Sequence, residues 1–181
     1  MAEQDVRSPH RYYYACFDEK QSWTVFDLGA AEGIFTLSVI DKIEKAYLFE
    51  CEEQWQQALR ATFQPYGDKV EIVSRYVSDK ETDNTISLDT FMKDKPFACG
   101  YVKMDIEGAE LSALKGAGTL LKESKIQFVS ACAYHSDEAG KDISEYLENN
   151  RYICSYSSGV MAFGDKAPYF RRGMVYAKKD R

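Results

Sequence analysis

The residues with the clearest chemical potential follow a hydrophobic run that ends in Asp27. They form a D-x-G-x-x-x-G pattern, in which Gly29 and Gly33 are the two glycines. Glycines at a strand-to-helix turn let the backbone approach a ligand closely. A dinucleotide fold binds pyrophosphate at such a turn, but Ala31 stands where the middle glycine of G-x-G-x-x-G would fall. An acid two residues before the first glycine suits a ligand with a cationic amino-acid end better, so this turn, Ala30 included, is predicted to bind one.

A second acid, Glu50, ends the next hydrophobic run, 21 positions after Gly29. A carboxylate at this place accepts hydrogen bonds from both hydroxyls of a ribose. The alternative for any single acid at a strand end is a solvated loop residue. Asp27 and Glu50 end two consecutive predicted strands, and Gly29 and Gly33 lie in the turn after the first. This spacing predicts a site for a nucleoside-containing cofactor.

A third motif, K-M-D-I-E-G-A-E, spans residues 103–110. An apolar run leads into Asp105, Glu107 and Gly108, and a helical pattern follows. In an open α/β sheet, the strand ends beside the point where the strand order reverses line the ligand crevice. Asp105 is therefore expected to face the same crevice as Gly29, whereas Glu107 either joins it or caps the following helix.

Proton transfer and metal binding are two further kinds of chemistry open to these residues. His135, at the end of a predicted strand, is the candidate general base, because histidine titrates near neutral pH; a structural histidine is an equal alternative. Lys103 would act as a base only if strongly desolvated, and an ion pair with a nearby carboxylate is the stronger expectation. Oxygen ligands from Asp105, Glu107 and Glu110 would suit Mg²⁺. Acids are common in first helical turns for other reasons, so no metal is predicted.

These residues need a sheet to bring them together. Strand and helix patterns alternate along the chain, which favours a mostly parallel sheet with helices on both faces. The predicted strands span 23–27, 46–50, 69–73, 97–104, 126–133, 152–156 and 173–177. Helices are predicted over about 33–43, 52–63, 87–92 and 108–121, and around Ile143 and Leu147. Residues 74–84 are expected to be irregular, and the last two strands to pair as an antiparallel hairpin at one edge.

Composition narrows the class of protein. The 181 residues fit one domain, expected over 1–181 with 1–22 as a helical or irregular N-terminal segment. The net charge of −6 argues against a nucleic-acid partner, and no apolar run is long enough for a bilayer or resembles a signal peptide. Five dispersed cysteines argue against a disulfide framework and a zinc site. A cytoplasmic protein is expected, with a homodimer as one possibility.

Taken together, the segments 25–37, 47–53, 87–91 and 103–110 resemble the FkbM-type methyltransferase family. The most specific piece is 103–110, which is similar to that family's K-x-D-x-E-G-x-E signature. The resemblance extends roughly from Trp23 to Lys178. It implies a Rossmann-like class I methyltransferase fold with a seven-stranded, mostly parallel sheet and S-adenosylmethionine as methyl donor. It also implies O-methylation of a sugar or secondary metabolite, hence a small-molecule or carbohydrate acceptor.

The resemblance also implies site roles. The D-x-G-x-x-x-G turn would hold the methionine end of the donor, and Glu50 its ribose. Tyr76 and Val77 would lie near adenine, and Asp105 at the junction of donor and acceptor. One departure from the family is at 131–135, where many members carry an acid and this chain has A-C-A-Y-H.

Acceptor-binding residues are less well marked. Because the chain begins close to the first strand, an acceptor-binding N-terminal extension is expected to be short, with Tyr12, Tyr13 and Tyr14 as its candidate residues. Late aromatic residues are candidates for the wall of an acceptor pocket, since ring faces pack on sugars and ring substrates. They are Tyr134, Tyr156, Tyr169 and Phe170.

Two rival functions share part of this pattern. An NAD-linked oxidoreductase or epimerase would have the same strand–glycine–helix turn and the acid after the second strand, but this chain lacks G-x-G-x-x-G. A non-catalytic relative would bind the donor, or nothing, and act in an assembly. The nucleoside that raises the melting temperature separates these functions, because a ligand of the native state stabilises it.

Overall fold

The computed structural model describes residues 4–5, 7–13, 15–18, 21–136, 138–164, 167 and 169–180. Its large sheet has seven strands: β1 Trp23–Leu28, β2 Lys45–Phe49, β3 Val70–Val73, β4 Cys99–Met104, β5 Ile126–Cys132, β6 Tyr152–Tyr156 and β7 Met174–Lys179. Their spatial order is β3-β2-β1-β4-β5-β7-β6. The strands from β3 to β5 are parallel, and β7 runs antiparallel between β5 and the edge strand β6. The predicted mostly parallel sheet with an antiparallel C-terminal pair is confirmed.

Within the described residues, six α-helices connect the strands or cover them. They are α1 Ile34–Val39, α2 Glu53–Phe63, α3 Leu88–Met92, α4 Glu110–Lys115, α5 Gly118–Lys122 and α6 Ala139–Asn149. Short 3₁₀ turns cover Ala15–Asp18, Ile40–Lys42 and Gln64–Lys69. The first residues of α3 are stabilised by Ser87, whose side chain accepts a hydrogen bond from the Thr90 N–H.

Two apolar layers cover the faces of the sheet. One layer joins alternate residues of β1, Trp23 and Val25, to α1, α2 and the N-terminal segment. The other joins the intervening residues Phe26 and Leu28 to side chains of α3, α4, α5 and α6. Every residue of β1 is buried, as expected for a strand of a parallel sheet covered on both sides. Helices therefore lie on both faces, as predicted.

The structure corrects two local predictions. The single helix predicted over 108–121 is broken into α4 and α5. The new start at α5 is capped by Asp89 of α3, whose carboxylate accepts hydrogen bonds from the N–H groups of Thr119 and Leu120. Residues 74–84 are also not wholly irregular, because Tyr76–Val77 forms a short parallel pair with Thr85–Ile86.

The connection between β6 and β7 contains a small two-stranded sheet. In it, Met161–Ala162 pairs antiparallel with Phe170–Arg171. Among the described residues, none belongs to a helix that is long and apolar enough to cross a membrane.

Candidate functional site

The strand order reverses between β1 and β4, and a cavity opens at the carboxyl ends of the strands there. Its volume is about 320 Å³, the lower end of the range for small-molecule sites. The loops after β1, β2, β3 and β4 all contribute to its wall. The lining residues are Leu28, Gly29, Ala31, Phe49, Glu50, Cys51, Glu52, Trp55, Arg75, Tyr76, Val77, Asp105, Ile106, Glu107 and Ala109.

The turn after β1 is wedged between two neighbouring loops. Gly29 has φ +71°, and a Cβ there would lie 2.0 Å from the carbonyl oxygen of Asp105. The N–H groups of Gly29 and Ala30 both donate to the Phe49 carbonyl, at 3.0 and 3.2 Å. Ala31 also has a positive φ, +44°, which is uncommon for a residue with a side chain. Glycine at position 29 is therefore required both by the conformation and by the close contact.

Asp27 lies beneath this turn rather than in the cavity wall. Its carboxylate is fully buried, forms an ion pair with Lys103 Nζ at 3.0 Å and accepts a 2.7 Å hydrogen bond from Thr36 Oγ1. Lys103 Nζ also donates to the carbonyl of Gly29. Burial by itself would lower the pKa of Lys103, but the charges of Asp27 and Asp105 raise it above its ordinary value. Lys103 is thus an ammonium in an ion pair, as the sequence led us to expect, and it holds Asp27 and the turn together.

Glu50 is held in place by the backbone at the cavity wall. Its Oε2 accepts from the Ala31 N–H and its Oε1 from the Glu52 N–H, both at 2.9 Å. Because a carboxylate has about four acceptor positions, each oxygen retains one for a ligand hydroxyl. The side chain is therefore fixed in orientation before any ligand arrives.

The other sequence-predicted residues divide between the cavity and its supports. Tyr76 and Val77 line the cavity, on the short strand after β3. Ala30 is buried outside the lining. Gly33 lies at the start of α1, where a Cβ would come within 2.7 Å of side chains of α2. Its role in the structure is to let α1 pack closely on α2.

Some lining residues were not predicted as site residues. Trp55 lies on α2, and Arg75 lies in the segment predicted to be irregular. Cys51 and Ile106 each adjoin a predicted site residue, so their positions beside Glu50 and Asp105 were the only available signal. Of these four, Ile106 lies within the K-M-D-I-E-G-A-E motif, and the other three belong to no motif.

Asp105 connects the cavity to a polar and aromatic cluster on its other side. Tyr12 OH and Tyr134 OH each donate to its carboxylate at 3.3 Å. The ring Nε2 atoms of His10 and His135 lie 3.4 and 3.3 Å from it. Burial opposes ionisation, but the hydrogen bonds from both histidines and the charge of Lys103 hold the pKa of Asp105 well below its usual range. Asp105 is therefore a carboxylate at any physiological pH.

His135 is surrounded by carboxylates. Its Nδ1 lies 2.8 Å from Glu110 Oε1, and its Nε2 lies 3.3 Å from Asp105 and 3.8 Å from Glu107. Burial alone would lower the pKa of His135, but the hydrogen bonds and charges of Asp105 and Glu110 outweigh it and raise the pKa to about 9. At neutral pH the ring is an imidazolium, which has no lone pair to accept a proton. This environment favours the structural alternative for His135 over the role of general base.

The three acids of the K-M-D-I-E-G-A-E motif have different surroundings. The Glu107 side chain is 93% exposed, whereas that of Glu110 is 1% exposed.

One group of three described residues could hold a metal ion. Its members are His10, Asp105 and Cys132, whose ligand atoms lie within 4.8 Å of one another. His10 Nε2 lies at hydrogen-bonding distance from the Cys132 sulfur, 3.3 Å, and we assign no metal to this group.

The predicted acceptor-side aromatics are only partly gathered. Tyr134 contacts the ring of Phe163 and donates to Asp105, and Tyr12 donates to the other oxygen of that carboxylate. Tyr13 packs away from the cavity, on Phe128 of β5. Tyr156 accepts a hydrogen bond from Ser144 of α6, Tyr169 and Phe170 are exposed, and Tyr14 lies outside the described residues.

Comparison with known proteins identifies the family. The methyltransferase FkbM domain matches residues 27–154, which is most of the chain. The chain therefore belongs to the FkbM methyltransferase family, whose methyl donor is S-adenosylmethionine. A search of curated protein sequences found no match.

Solved structures show the same fold. The FkbM methyltransferase from Methylobacillus flagellatus KT is 23% identical, with a TM-score of 0.66 over 86% of this chain and 43% of that one. The chain thus spans less than half the length of that relative. A putative methyltransferase from Streptococcus mutans in complex with SAH is 13% identical, with a TM-score of 0.55 over 90% of both chains. TrmK from M. capricolum, in complex with S-adenosyl-homocysteine, is 11% identical, with a TM-score of 0.57 over 93% of this chain and 70% of that one.

Proposed function

We propose that this protein binds S-adenosylmethionine in the cavity at the β1–β4 switch point and methylates an oxygen of a small acceptor, a sugar or secondary metabolite. One observation carries the proposal: Gly29, Glu50 and Asp105, from three separate motifs, line the same cavity. Membership of the FkbM family supports the donor. The acceptor class rests on the family resemblance and on the net charge of −6, which disfavours nucleic acid.

We assign a part of the site to each part of the donor. Glu50, with its carboxylate already oriented by two N–H groups, would accept hydrogen bonds from the ribose hydroxyls. Tyr76 and Val77 would flank the adenine ring. The methionine end would lie along the turn at Gly29, where the absence of a Cβ gives access to the backbone. Asp27 would act on this end indirectly, through Lys103 and the Gly29 carbonyl.

The sulfonium of the bound donor supplies an electrophilic methyl group, so the protein needs to position an acceptor rather than build a reactive centre. Asp105 is the group best placed to do so, because it lies between the cavity and the Tyr12–Tyr134 cluster. Its carboxylate can accept a hydrogen bond from an acceptor hydroxyl and so orient the oxygen. Because His135 is protonated, we propose that it supports Asp105 rather than removing the acceptor's proton.

Transfer of labelled methyl from S-adenosylmethionine to a panel of sugars and hydroxylated metabolites tests the proposal. The expected result is incorporation into at least one acceptor, reduced more than tenfold by Glu50→Gln, since the amide would place an N–H against a backbone N–H. Glu53→Gln, at an exposed position of α2 outside the cavity, is the matched control and should behave as wild type.

Two other outcomes separate the rival functions. Donor binding without transfer to any acceptor, alone or with other proteins added, would indicate a non-catalytic relative. Failure to bind the donor, together with binding of NAD⁺, would indicate an oxidoreductase or epimerase and would overturn the proposal.

A further inference from the structure

Glu110 is a buried carboxylate whose position the proposed function does not yet explain. It is the first residue of α4, and its side chain is 1% exposed. A buried acid is costly unless its charge is compensated by hydrogen bonds or a cation. One of its oxygens, Oε1, is at 2.8 Å from His135 Nδ1, at 3.1 Å from the Ile106 N–H and at 3.5 Å from the Gly108 N–H.

These contacts fix the loop that carries Asp105. The loop needs a fixed shape, because Glu107 and Gly108 have φ values of +54° and +96°, the first of which costs energy for a residue with a side chain. Glu110 reaches back over this turn and accepts from the backbone on both sides of Glu107. It thereby holds the backbone of the cavity wall from Asp105 to Ala109.

His135 links Glu110 to the carboxylate of Asp105 itself. An imidazolium has one N–H on each side of the ring, and here one faces Glu110 and the other faces Asp105. The ring cannot turn without losing both ion pairs. The order of groups is carboxylate, imidazole, carboxylate. It resembles a catalytic triad, in which a buried carboxylate orients a histidine that acts on a third group.

We propose that Glu110 is a positioning residue that acts through His135 to set the orientation of the Asp105 carboxylate at the donor cavity. This inference rests on the proposed function, because Asp105 is taken to contact the donor or acceptor. A purely structural Glu110 would stabilise the loop without acting on ligand binding through His135. The two roles therefore differ in what a neutral, equally sized side chain at position 110 does.

The experiment measures the pKa of His135 by NMR together with the dissociation constant of S-adenosylmethionine by calorimetry. The chain has two histidines, so His135→Gln assigns the two titrations without ambiguity. In Glu110→Gln, we expect the pKa of His135 to fall by at least one unit, because a unit charge 2.8 Å away is lost, and donor affinity to fall about tenfold. Glu145→Gln, on the exposed face of α6, removes a charge elsewhere and should change neither quantity.

A second pair of variants keeps the test decisive if Glu110→Gln lowers stability. His135→Gln leaves Glu110 in place but breaks the link, so it should weaken donor binding by a similar factor. The double variant should then be no weaker than either single variant, because both act on one path. Additive losses, or an unchanged His135 pKa and donor affinity in a folded Glu110→Gln protein, would overturn the inference. If wild type does not bind the donor at all, the proposed function fails instead, while the His135 titration still reports the Glu110 coupling.

Discussion

Replacement of Gly29 by alanine tests how tightly the turn after β1, which would hold the methionine end of the donor, is packed. The new Cβ would lie 2.0 Å from the Asp105 carbonyl oxygen and 3.1 Å from Ile106 Cγ2. Restoring ordinary contact needs the Asp105 backbone to retreat by roughly 1.5 Å, since non-bonded heavy atoms prefer about 3.5 Å. The positive φ of +71° adds about 1–2 kcal/mol for a residue with a side chain.

The expected consequences follow from these two effects. Overpacking of this kind costs about 1–3 kcal/mol, so we expect Gly29→Ala to lose about 2–5 kcal/mol of unfolding free energy in total. A displacement of about 1 Å at the reacting centre costs on the order of 100-fold in rate, so methyl transfer should fall at least that far. Urea unfolding and calorimetric titration with S-adenosylmethionine measure the stability and the donor affinity separately.

Gly67 provides the matched control. It too has a positive φ, +51°, but a Cβ there would meet no atom within 4 Å. Gly67→Ala should therefore show the backbone cost of about 1–3 kcal/mol alone, with unchanged donor affinity. If Gly29→Ala binds the donor as wild type does and is no less stable than Gly67→Ala, the close packing of the turn against Asp105 is not what shapes the cavity.

Three further predictions concern other parts of the chain. Glu50→Gln should weaken S-adenosylmethionine binding by about 1–3 kcal/mol in calorimetry, because the amide nitrogen cannot accept a hydrogen bond from a ribose hydroxyl and its N–H would face a backbone N–H. Gly173→Ala should release the N-terminal segment, since its Cβ would lie 1.9 Å from the Pro9 carbonyl oxygen, and limited proteolysis with trypsin should then cleave faster near Arg11. The third prediction concerns pH: folding raises the pKa of His135 from 6.5 to about 9, so its stabilising contribution is complete below pH 6.5 and is lost as pH rises through 9.

Each of these three predictions has a control variant or a result that would contradict it. Equal affinities of wild type and Glu50→Gln would remove Glu50 from the ribose site. For the N-terminal segment, Gly164→Ala is the control, because a Cβ there meets no atom within 4 Å, and equal cleavage of both variants would contradict the predicted clash. For pH, the melting temperature should decline more steeply towards alkaline pH in wild type than in His135→Gln, and parallel curves would show that the folded-state pKa is not raised.

The sheet was predictable because its strands and helices are encoded locally. Hydrophobic runs that end in Asp27, Glu50 and Asp105 show where the parallel strands end, and the helices between them show that connections cross over the sheet faces. The break between α4 and α5 was missed although Gly116 and Gly118 lie at it, and glycine weakens a helix interior. The cap supplied by Asp89, about 30 residues away in the chain, could not be predicted from local patterns.

The candidate site was predictable where a motif marks a strand end, and less so where contacts decide the role. Gly29, Glu50 and Asp105 were named from motifs, Tyr76 and Val77 from the family resemblance, and all five line one cavity. The surroundings of His135 could not be read from the sequence, because its three carboxylate neighbours come from a loop and helix that precede it by 25 or more residues. Histidine at a strand end indicates a titrating group, but only the neighbours decide its charge.

Calorimetric titration of the purified protein with S-adenosylmethionine and, separately, with NAD⁺ tests whether the cavity binds the methyl donor. We expect micromolar binding of S-adenosylmethionine at one site per chain, lost in Gly29→Ala and weakened in Glu50→Gln, with no binding of NAD⁺. Binding of NAD⁺ alone, or of S-adenosylmethionine with an affinity that neither variant changes, would contradict the assignment of the cavity between β1 and β4 as the methyl-donor site.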